Sequence, residues 1–154
     1  MMARFASAPL ACALLLLGTS ACAPKPADFS SCPASKPAFE VMDSFMTAFN
    51  AKDMTALEKT FHFPNMRISV YPLHVLTGPG QQEDVFGILT AEGWARSAWI
   101  DRTIVQCDPN KAHMLATFAR YHADGSEYSR YDGLYIIELR DGFWGITARS
   151  TFAP

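Results

Sequence analysis

Three arginines stand where their side chains could recognise a charged ligand. Arg120, Arg130 and Arg149 each lie in a C-terminal segment otherwise rich in Phe, Tyr, Ile and Trp. An arginine in such a segment can cover apolar surface with its aliphatic stem while its charge stays in water. Alternatively, its planar guanidinium faces a cavity, where it pairs with Asp132 or binds an anionic ligand through two parallel hydrogen bonds. The sequence leaves both interpretations open.

Aromatic residues supply candidates for the walls of such a cavity. Tyr71, Trp94 and Tyr135 are wall candidates, although an aromatic residue is more often part of the core. Small-molecule sites are mostly apolar, with a few fixed polar groups. We therefore predict a ligand pocket between the long N-terminal helix and the concave face of a sheet, with Arg120 or Arg149 as its polar anchor.

The residues that could perform acid–base or metal chemistry lack the spacing that such chemistry needs. The four histidines form no i, i+4 or His-x-His pair of a metal site. They are His62, His74, His113 and His122. His62 could serve a dehydratase-like site, but bonding to the last carbonyl groups of a helix accounts for it more simply. Asp53 is expected to cap a helix rather than to act as a catalytic carboxylate. We expect no metal, no cofactor and no catalytic residue.

The N-terminal stretch has the features of an export signal. Arg4 supplies a positive charge before the apolar run 10–17, which is too short to span a bilayer. We therefore expect residues 1–21 to be a signal peptide that is removed from the mature protein.

Cys22 is expected to carry a membrane anchor. Small residues lead up to it in a pattern that resembles a bacterial lipobox, although Thr19 stands where Leu is usual. A lipidated cysteine would place the protein in the bacterial cell envelope. Because Ala23 rather than Asp follows the cysteine, the expected site in a Gram-negative cell is the outer membrane, facing the periplasm. The alternative is ordinary cleavage after Ala21 or Ala23 and secretion to the periplasm.

Residues 22–36 are predicted to be a flexible tether, because they are rich in Pro, Ser and Ala and show no hydrophobic periodicity. Two cysteines remain once Cys22 and the signal peptide are set aside. Cys32 and Cys107 are thus an even pair in an oxidising compartment, which makes a disulfide between them possible.

Charge and length restrict the function further. The whole chain has 154 residues and a formal charge of −2, with no basic stripe, so we expect no nucleic-acid partner. The chain beyond the tether is long enough for one domain with a substantial core.

Helical periodicity predicts three helices in this domain. The longest covers about 37–51 and has one apolar face. That face consists of Phe39, Met42, Phe45, Met46 and Phe49. A short helix over 54–61 comes after the capping residue Asp53, and a third helix over 82–92 ends before Gly93.

Alternation and turn residues predict the strands. These cover 66–71, 73–76, 98–107 and three long segments within 111–154. Asp124-Gly125 and Asp141-Gly142 join the last three, since Asp-Gly is typical of hairpin turns. Gly133 and Gly145 are predicted bulge or bend points.

Both faces of the C-terminal sheet carry large apolar groups, so each face needs a cover. In the last strand, alternation puts Ile146 and Ala148 on one face and Arg149 on the other. A partner chain covering the outer face would make a dimer.

The order of elements resembles the NTF2-like superfamily, which includes SnoaL-like and ketosteroid-isomerase-like proteins. The residues that carry the resemblance are Phe45-x₃-Phe49-Asn50-x₂-Asp53-x₃-Leu57, Phe61-His62-Phe63-Pro64, Phe118-x-Arg120-Tyr121-x₂-Asp124-Gly125 and Gly142-x-Trp144-Gly145-Ile146-x₂-Arg149-Ser150. The resemblance implies an α+β cone over residues 37–154. Its long N-terminal helix and two shorter helices would pack on a curved, mainly antiparallel sheet around a funnel-shaped cavity.

The catalytic residues of the isomerase branch are absent from the matching positions. Phe45 stands where that branch has a tyrosine, and residues 69–71 stand where it has a carboxylate base. No acidic residue lies between Glu58 and Glu83. Without a base, a proton cannot be abstracted from carbon, so we expect no carbon-acid isomerisation.

Three functions remain open from the sequence. The first is a membrane-tethered, non-catalytic domain that binds a small apolar or amphipathic ligand. The second is an interaction module that forms a homodimer or docks on an envelope protein. The third is a SnoaL-like cyclase or dehydratase, which needs polar groups converging in the cavity.

Overall fold

The computed structural model describes residues 28–70 and 73–154. Cys22, Tyr71 and the expected signal peptide lie outside the described residues. The helices are α1 (Ser35–Asn50), α2 (Met54–Glu58) and α3 (Val85–Ala91). The strands are β1 (Phe61–Ile68), β2 (His74–Leu76), β3 (Arg96–Asp108), β4 (Lys111–Tyr121), β5 (Glu127–Arg140) and β6 (Phe143–Thr151).

The six strands form one curved sheet with the order β2-β1-β6-β5-β4-β3. Neighbouring strands are antiparallel except β1 and β6, which run parallel. Helix α1 packs on one face, called the concave face here, through buried side chains that recur at helical spacing. Those side chains are Ala38, Val41, Met42, Phe45 and Ala48. The predicted α+β class and mainly antiparallel sheet are confirmed.

Aspartates begin both short helices, because their side chains accept hydrogen bonds from otherwise unpaired N–H groups of the first turn. Asp53 Oδ1 accepts from Ala56 N at 2.9 Å, as the sequence predicts. Asp84 Oδ1 accepts from Gly87 N, also at 2.9 Å, so α3 starts at Val85, three residues later than predicted.

The second helix is shorter than predicted, and β1 begins earlier. Phe61 follows Leu57 at helical spacing, yet it lies in β1 beside Ile146 of β6. Ile146 N donates to Thr60 O at 2.8 Å, and Asn65 Nδ2 donates to Ile146 O at 2.7 Å. Pairing with a distant strand therefore overrides the local helical pattern.

Two of the sheet's β-bulges, neither at a predicted glycine, change which side chains face the helices. In β6, Thr147 is the extra residue, since Ile146 pairs with Ile137 and Ala148 with Ile136. A bulge shifts alternation by one residue. Arg149 consequently lies on the concave face opposite Tyr135, not on the face predicted by strict alternation.

The other bulge lies in β5. Tyr121 pairs with Glu127 and Arg120 with Ser129, which leaves Tyr128 as the extra residue. Gly133 has a different role from the predicted one. A Cβ atom there would lie 2.8 Å from Thr151 Cγ2, so the glycine allows β5 and β6 to approach closely.

A disulfide between Cys32 and Cys107 joins the turn before α1 to the end of β3, with their Cα atoms 6.3 Å apart. Ser35 and Lys36, which the sequence assigns to the tether, form the first turn of α1. Within 28–70 and 73–154, no helix is long and apolar enough to cross a membrane.

Candidate functional site

A cavity of about 550 Å³ opens between α3, the β1–β2 end of the sheet and β4. Its apolar lining comes from the β1–β2 connection and α3, and consists of Leu73, Val85, Ile88 and Leu89. Arg67 and Arg120 contribute positive charge, while exposed Glu83 and Glu92 stand at the mouth. A volume of this size suits a small organic ligand.

The space under α1, where the sequence predicts the pocket, is almost filled. Only about 40 Å³ remains beside Phe45, Phe49 and Trp99. Phe45 occupies the centre, with its ring centroid 6.1 Å from Trp99 and 6.2 Å from Tyr135. The larger cavity therefore lies beyond the aromatic cluster, against α3.

Arg120 is the most deeply buried charged residue of the cavity wall. Its side chain is 5% exposed and lines both the large cavity and the small space under α1. The guanidinium carbon lies 5.1 Å from the centre of the Tyr131 ring. Ser97 of β3 and Ser129 of β5 flank it in register.

Arg149 and Arg67 lie side by side on the same face, as register partners in β6 and β1. Arg149 stacks its guanidinium over Phe45 and Phe61, at 5.5 and 5.6 Å from the ring centres. Arg67 Nη2 donates to the backbone oxygen of Pro154 at 3.0 Å. Arg149 lines neither cavity, but it adds positive charge next to both.

Burial is the main cause of the unusual pKa of Arg149. The pKa is lowered from 12.5 to about 10, chiefly by loss of solvent; Tyr135 opposes the change, and the positive charge of Arg67 adds to it. Arg149 is half-buried, so its guanidinium has lost much of its solvent but the residue is not fully enclosed. A pKa of about 10 leaves Arg149 positively charged at neutral pH.

Tyr135 lies between the arginines, with only 2% of its surface exposed. Burial raises the pKa of its hydroxyl to about 12, although Arg149, Arg67 and Arg120 each favour the ionised form. The hydroxyl therefore stays protonated at neutral pH and lies in the field of three positive charges.

The arginines of the concave face lack the carboxylate partners that other arginines have. Among the described residues, no side-chain carboxylate oxygen lies within 4.0 Å of a guanidinium nitrogen of Arg67, Arg120 or Arg149. By contrast, Arg130 is exposed and pairs with Glu127 at 2.8 Å. The suggested partner Asp132 instead accepts a hydrogen bond from the Thr117 hydroxyl.

Trp94 lies in the core rather than in the cavity wall. Its indole Nε1 donates to Ser97 Oγ at 3.0 Å, and its ring packs edge-on against Phe49 at 5.4 Å. Sequence reasoning missed Arg67 and Tyr128. Alternation in β1 could have revealed Arg67, but no local signal marks the bulge at Tyr128.

Of the four histidines, His74 lines the large cavity and His62 lies in the sheet. His62 is buried in β1, not at a helix end, and its Nε2 lies 3.0 Å from the carbonyl oxygen of Glu138. The described parts of the chain contain no group of three His, Cys, Asp or Glu side chains arranged to hold a metal ion.

A family model of NTF2-like protein (DUF6841) matches residues 36–152. The chain belongs to this NTF2-like family. The match covers both the aromatic cluster under α1 and the arginines of the concave face. No curated protein matches the chain.

Solved structures show the same fold at low sequence identity. A protein of unknown function from Nostoc punctiforme, described as having a cystatin-like fold, is 13% identical with a TM-score of 0.63, over 77% of this chain and 90% of that chain. An NTF2-like protein from Novosphingobium aromaticivorans is 11% identical with a TM-score of 0.61, over 76% and 79%. A ketosteroid isomerase-like protein from Erwinia carotovora atroseptica is 17% identical with a TM-score of 0.57, over 79% and 98%.

The NTF2-like assignment establishes the fold without assigning an activity. At these identities, the likeness to solved structures says nothing about chemistry, because one fold hosts many functions. The function has to be argued from the cavity itself.

Proposed function

We propose that this NTF2-like domain binds a small amphipathic molecule in the cavity beside α3 and does not convert it. The observation that carries the proposal is the cavity of about 550 Å³, which is apolar along α3 and has the buried Arg120 in its wall. Apolar walls with few polar groups are typical of small-molecule sites. The absence of any acidic residue between Glu58 and Glu83 argues against carbon-acid isomerisation, because the first strand lacks a base.

Filling the cavity should weaken binding of an apolar probe. Ile88 lines the cavity and is 54% exposed, so Ile88→Trp adds bulk there without disturbing the core. We expect the affinity for the neutral fluorescent probe N-phenyl-1-naphthylamine to fall by about tenfold or more, because the indole occupies the probe's volume. Fluorescence titration measures this.

Ile100→Trp is the matched control, since Ile100 is 41% exposed on β3 and lines neither the large cavity nor the small space under α1. It should leave probe affinity unchanged. Equal loss in both variants, or no probe binding by the unaltered protein, would refute the proposed function.

The proposal includes an envelope location through a lipid anchor at Cys22, with secretion to the periplasm as the alternative. Support comes from the N-terminal sequence pattern. A disulfide between Cys32 and Cys107 also agrees with an oxidising compartment.

Cys22→Ser should remove the protein from the membrane fraction, because stable anchoring depends on the acyl chains that the cysteine carries. Fractionation of cells that express the full chain, with mass spectrometry of the mature N-terminus, tests this. An unmodified N-terminus at Cys22 or Ala23 in the unaltered protein would contradict the anchor.

A second candidate function is dimerisation through the outer, convex face of the sheet. Leu115 is 48% exposed there and lies opposite Leu134 of β5, with 40% exposed Val105 on the adjacent strand. Apolar groups shared between neighbouring strands are typical of contact surfaces. Sedimentation equilibrium tests this candidate function. If the protein stays monomeric at high micromolar concentration, dimerisation is excluded.

A further inference from the structure

We propose that the ligand is an amphipathic carboxylic acid whose carboxylate binds the guanidinium of Arg120, with its apolar part along α3. This inference rests on the proposed function and deepens it by naming the ligand class. It depends on four observations: unpaired donors, the bulge that gathers them, the uncompensated charge around them, and the shape of the cavity.

The first observation is a cluster of buried polar atoms without partners. In the described ranges, three buried side-chain polar atoms make no hydrogen bond: Arg120 Nε, the Tyr128 hydroxyl and Ser129 Oγ. Buried polar groups are nearly always paired, and an unpaired one destabilises a protein by about 1–3 kcal/mol. Arg120 of β4 and Ser129 of β5 are register partners, and Tyr128 is the extra residue next to them. Of the three residues, only Arg120 lines the cavity, and Tyr128 and Ser129 adjoin it in β5. A guanidinium can only donate, so Arg120 is suited to an acceptor such as an oxyanion.

The second observation explains how the cluster forms. Tyr128 is the extra residue of the β5 bulge, so its side chain does not follow the alternation of the strand. Its ring stacks on His122 at 4.5 Å, and His122 Nδ1 lies 2.8 Å from the carbonyl oxygen of Gly93, directly after α3. These contacts direct Tyr128 towards the α3 side of the sheet. Burial raises the pKa of its hydroxyl, while the nearby charge of Arg120 lowers it.

The third observation is electrostatic. Arg149 is the register partner of both Tyr135 and Arg67, and Arg120 lines the small space under α1 together with Tyr135. Three positive charges therefore lie near Tyr135 on the concave face. None has a side-chain carboxylate partner among the described residues, and Arg67 donates to the Pro154 oxygen. A desolvated positive charge attracts an anion more strongly than an exposed one does, because the surrounding dielectric is lower.

The fourth observation is the orientation of the cavity. Arg120 is 5% exposed and lies at the inner end, whereas Leu73 and Ile88 are more than half exposed and stand near the opening. An amphipathic acid therefore binds with its carboxylate inward and its apolar part between α3 and the β1–β2 connection. Glu83 and Glu92 are exposed at the mouth, where solvent and salt screen their charge, and Glu92 is the nearer of the two to the cluster, since its charge adds to burial in raising the pKa of Tyr128.

A matched pair of ligands tests this inference. 2-Naphthylacetate and 2-naphthylacetamide have nearly the same shape and differ in charge, and calorimetry at pH 7.5 measures both. We expect the carboxylate to bind about 30-fold more tightly or better, given the strength of charge-assisted hydrogen bonds. Arg120→Met should reduce this ratio to about one, whereas the exposed, paired Arg130→Met should preserve it.

Two milder variants keep the test valid if Arg120→Met does not fold. Tyr128→Phe and Ser129→Ala each remove one polar neighbour of Arg120, and each should weaken carboxylate binding about threefold with no change for the amide. Equal affinity for both ligands, or a ratio that no folded variant alters, overturns the carboxylate inference while the proposed function stands. If neither ligand binds but N-phenyl-1-naphthylamine does, the carboxylate inference is likewise overturned and the proposed function stands. If the probe also fails, both proposals fall.

Discussion

Phe45→Ala is expected to lower the free energy of unfolding by about 3–5 kcal/mol, the usual loss for truncating a buried phenylalanine. Phe45 is 5% exposed and lies at the centre of the aromatic cluster under α1. Its ring centroid is 5.9 Å from that of Phe49 and 6.0 Å from that of Phe61. The truncation would also leave Arg149 without one of its two stacked rings. Urea unfolding monitored by circular dichroism measures the change.

Phe152→Ala is the matched control, because Phe152 is 74% exposed and the same atoms are removed from a position with little packing. It should change stability by less than about 0.5 kcal/mol. A loss below about 1 kcal/mol for Phe45→Ala would mean that the cluster collapses into the space, contrary to the close packing of its rings.

Removing the disulfide with the double change Cys32→Ala, Cys107→Ala should lower the free energy of unfolding by about 4 kcal/mol. The expectation comes from chain entropy, since the cross-link closes a loop with a sequence separation of 75 residues. The closed loop contains all three helices and β1 to β3. The double variant should also unfold over a similar range of urea concentration to the unaltered protein kept in reductant.

The reductant provides the internal control. Adding it should destabilise the unaltered protein and leave the double variant unchanged. If the unaltered protein is equally stable with and without reductant, or if it yields two free thiols when unfolded without reductant, the cross-link does not form.

Local patterns in the sequence were sufficient for the helices, the caps and the hairpin turns. The apolar face of α1 and the cap at Asp53 result from helical spacing and side-chain hydrogen bonding over a few residues. At the last hairpin, Asp141 and Gly142 both have positive φ, 53° and 82°, as a type I′ turn requires. These features depend only on interactions between residues that are close in the sequence.

The arginine cluster could be predicted only in part, because bulges and distant pairings place its members. Arg120 obeys the alternation of β4, so a cavity position could be suggested from sequence. Arg149 could not be placed, since the extra residue Thr147 moves it to the other face. Arg67 reaches Arg149 only through the pairing of β1 with β6, across more than half the chain. Tyr128 depends on the β5 bulge.

The position of β6 in the sheet also determines when the domain can finish folding. This last strand lies between β1 and β5, so it joins the early part of the chain to the β3–β5 meander. Until residues 143–151 have been synthesised, β1 lacks its parallel neighbour and β5 has an unpaired edge. Such edges slow folding and favour pairing with other chains. A chain that still lacks residues 143–151 therefore remains incompletely folded and exposes strand edges that can pair with other chains.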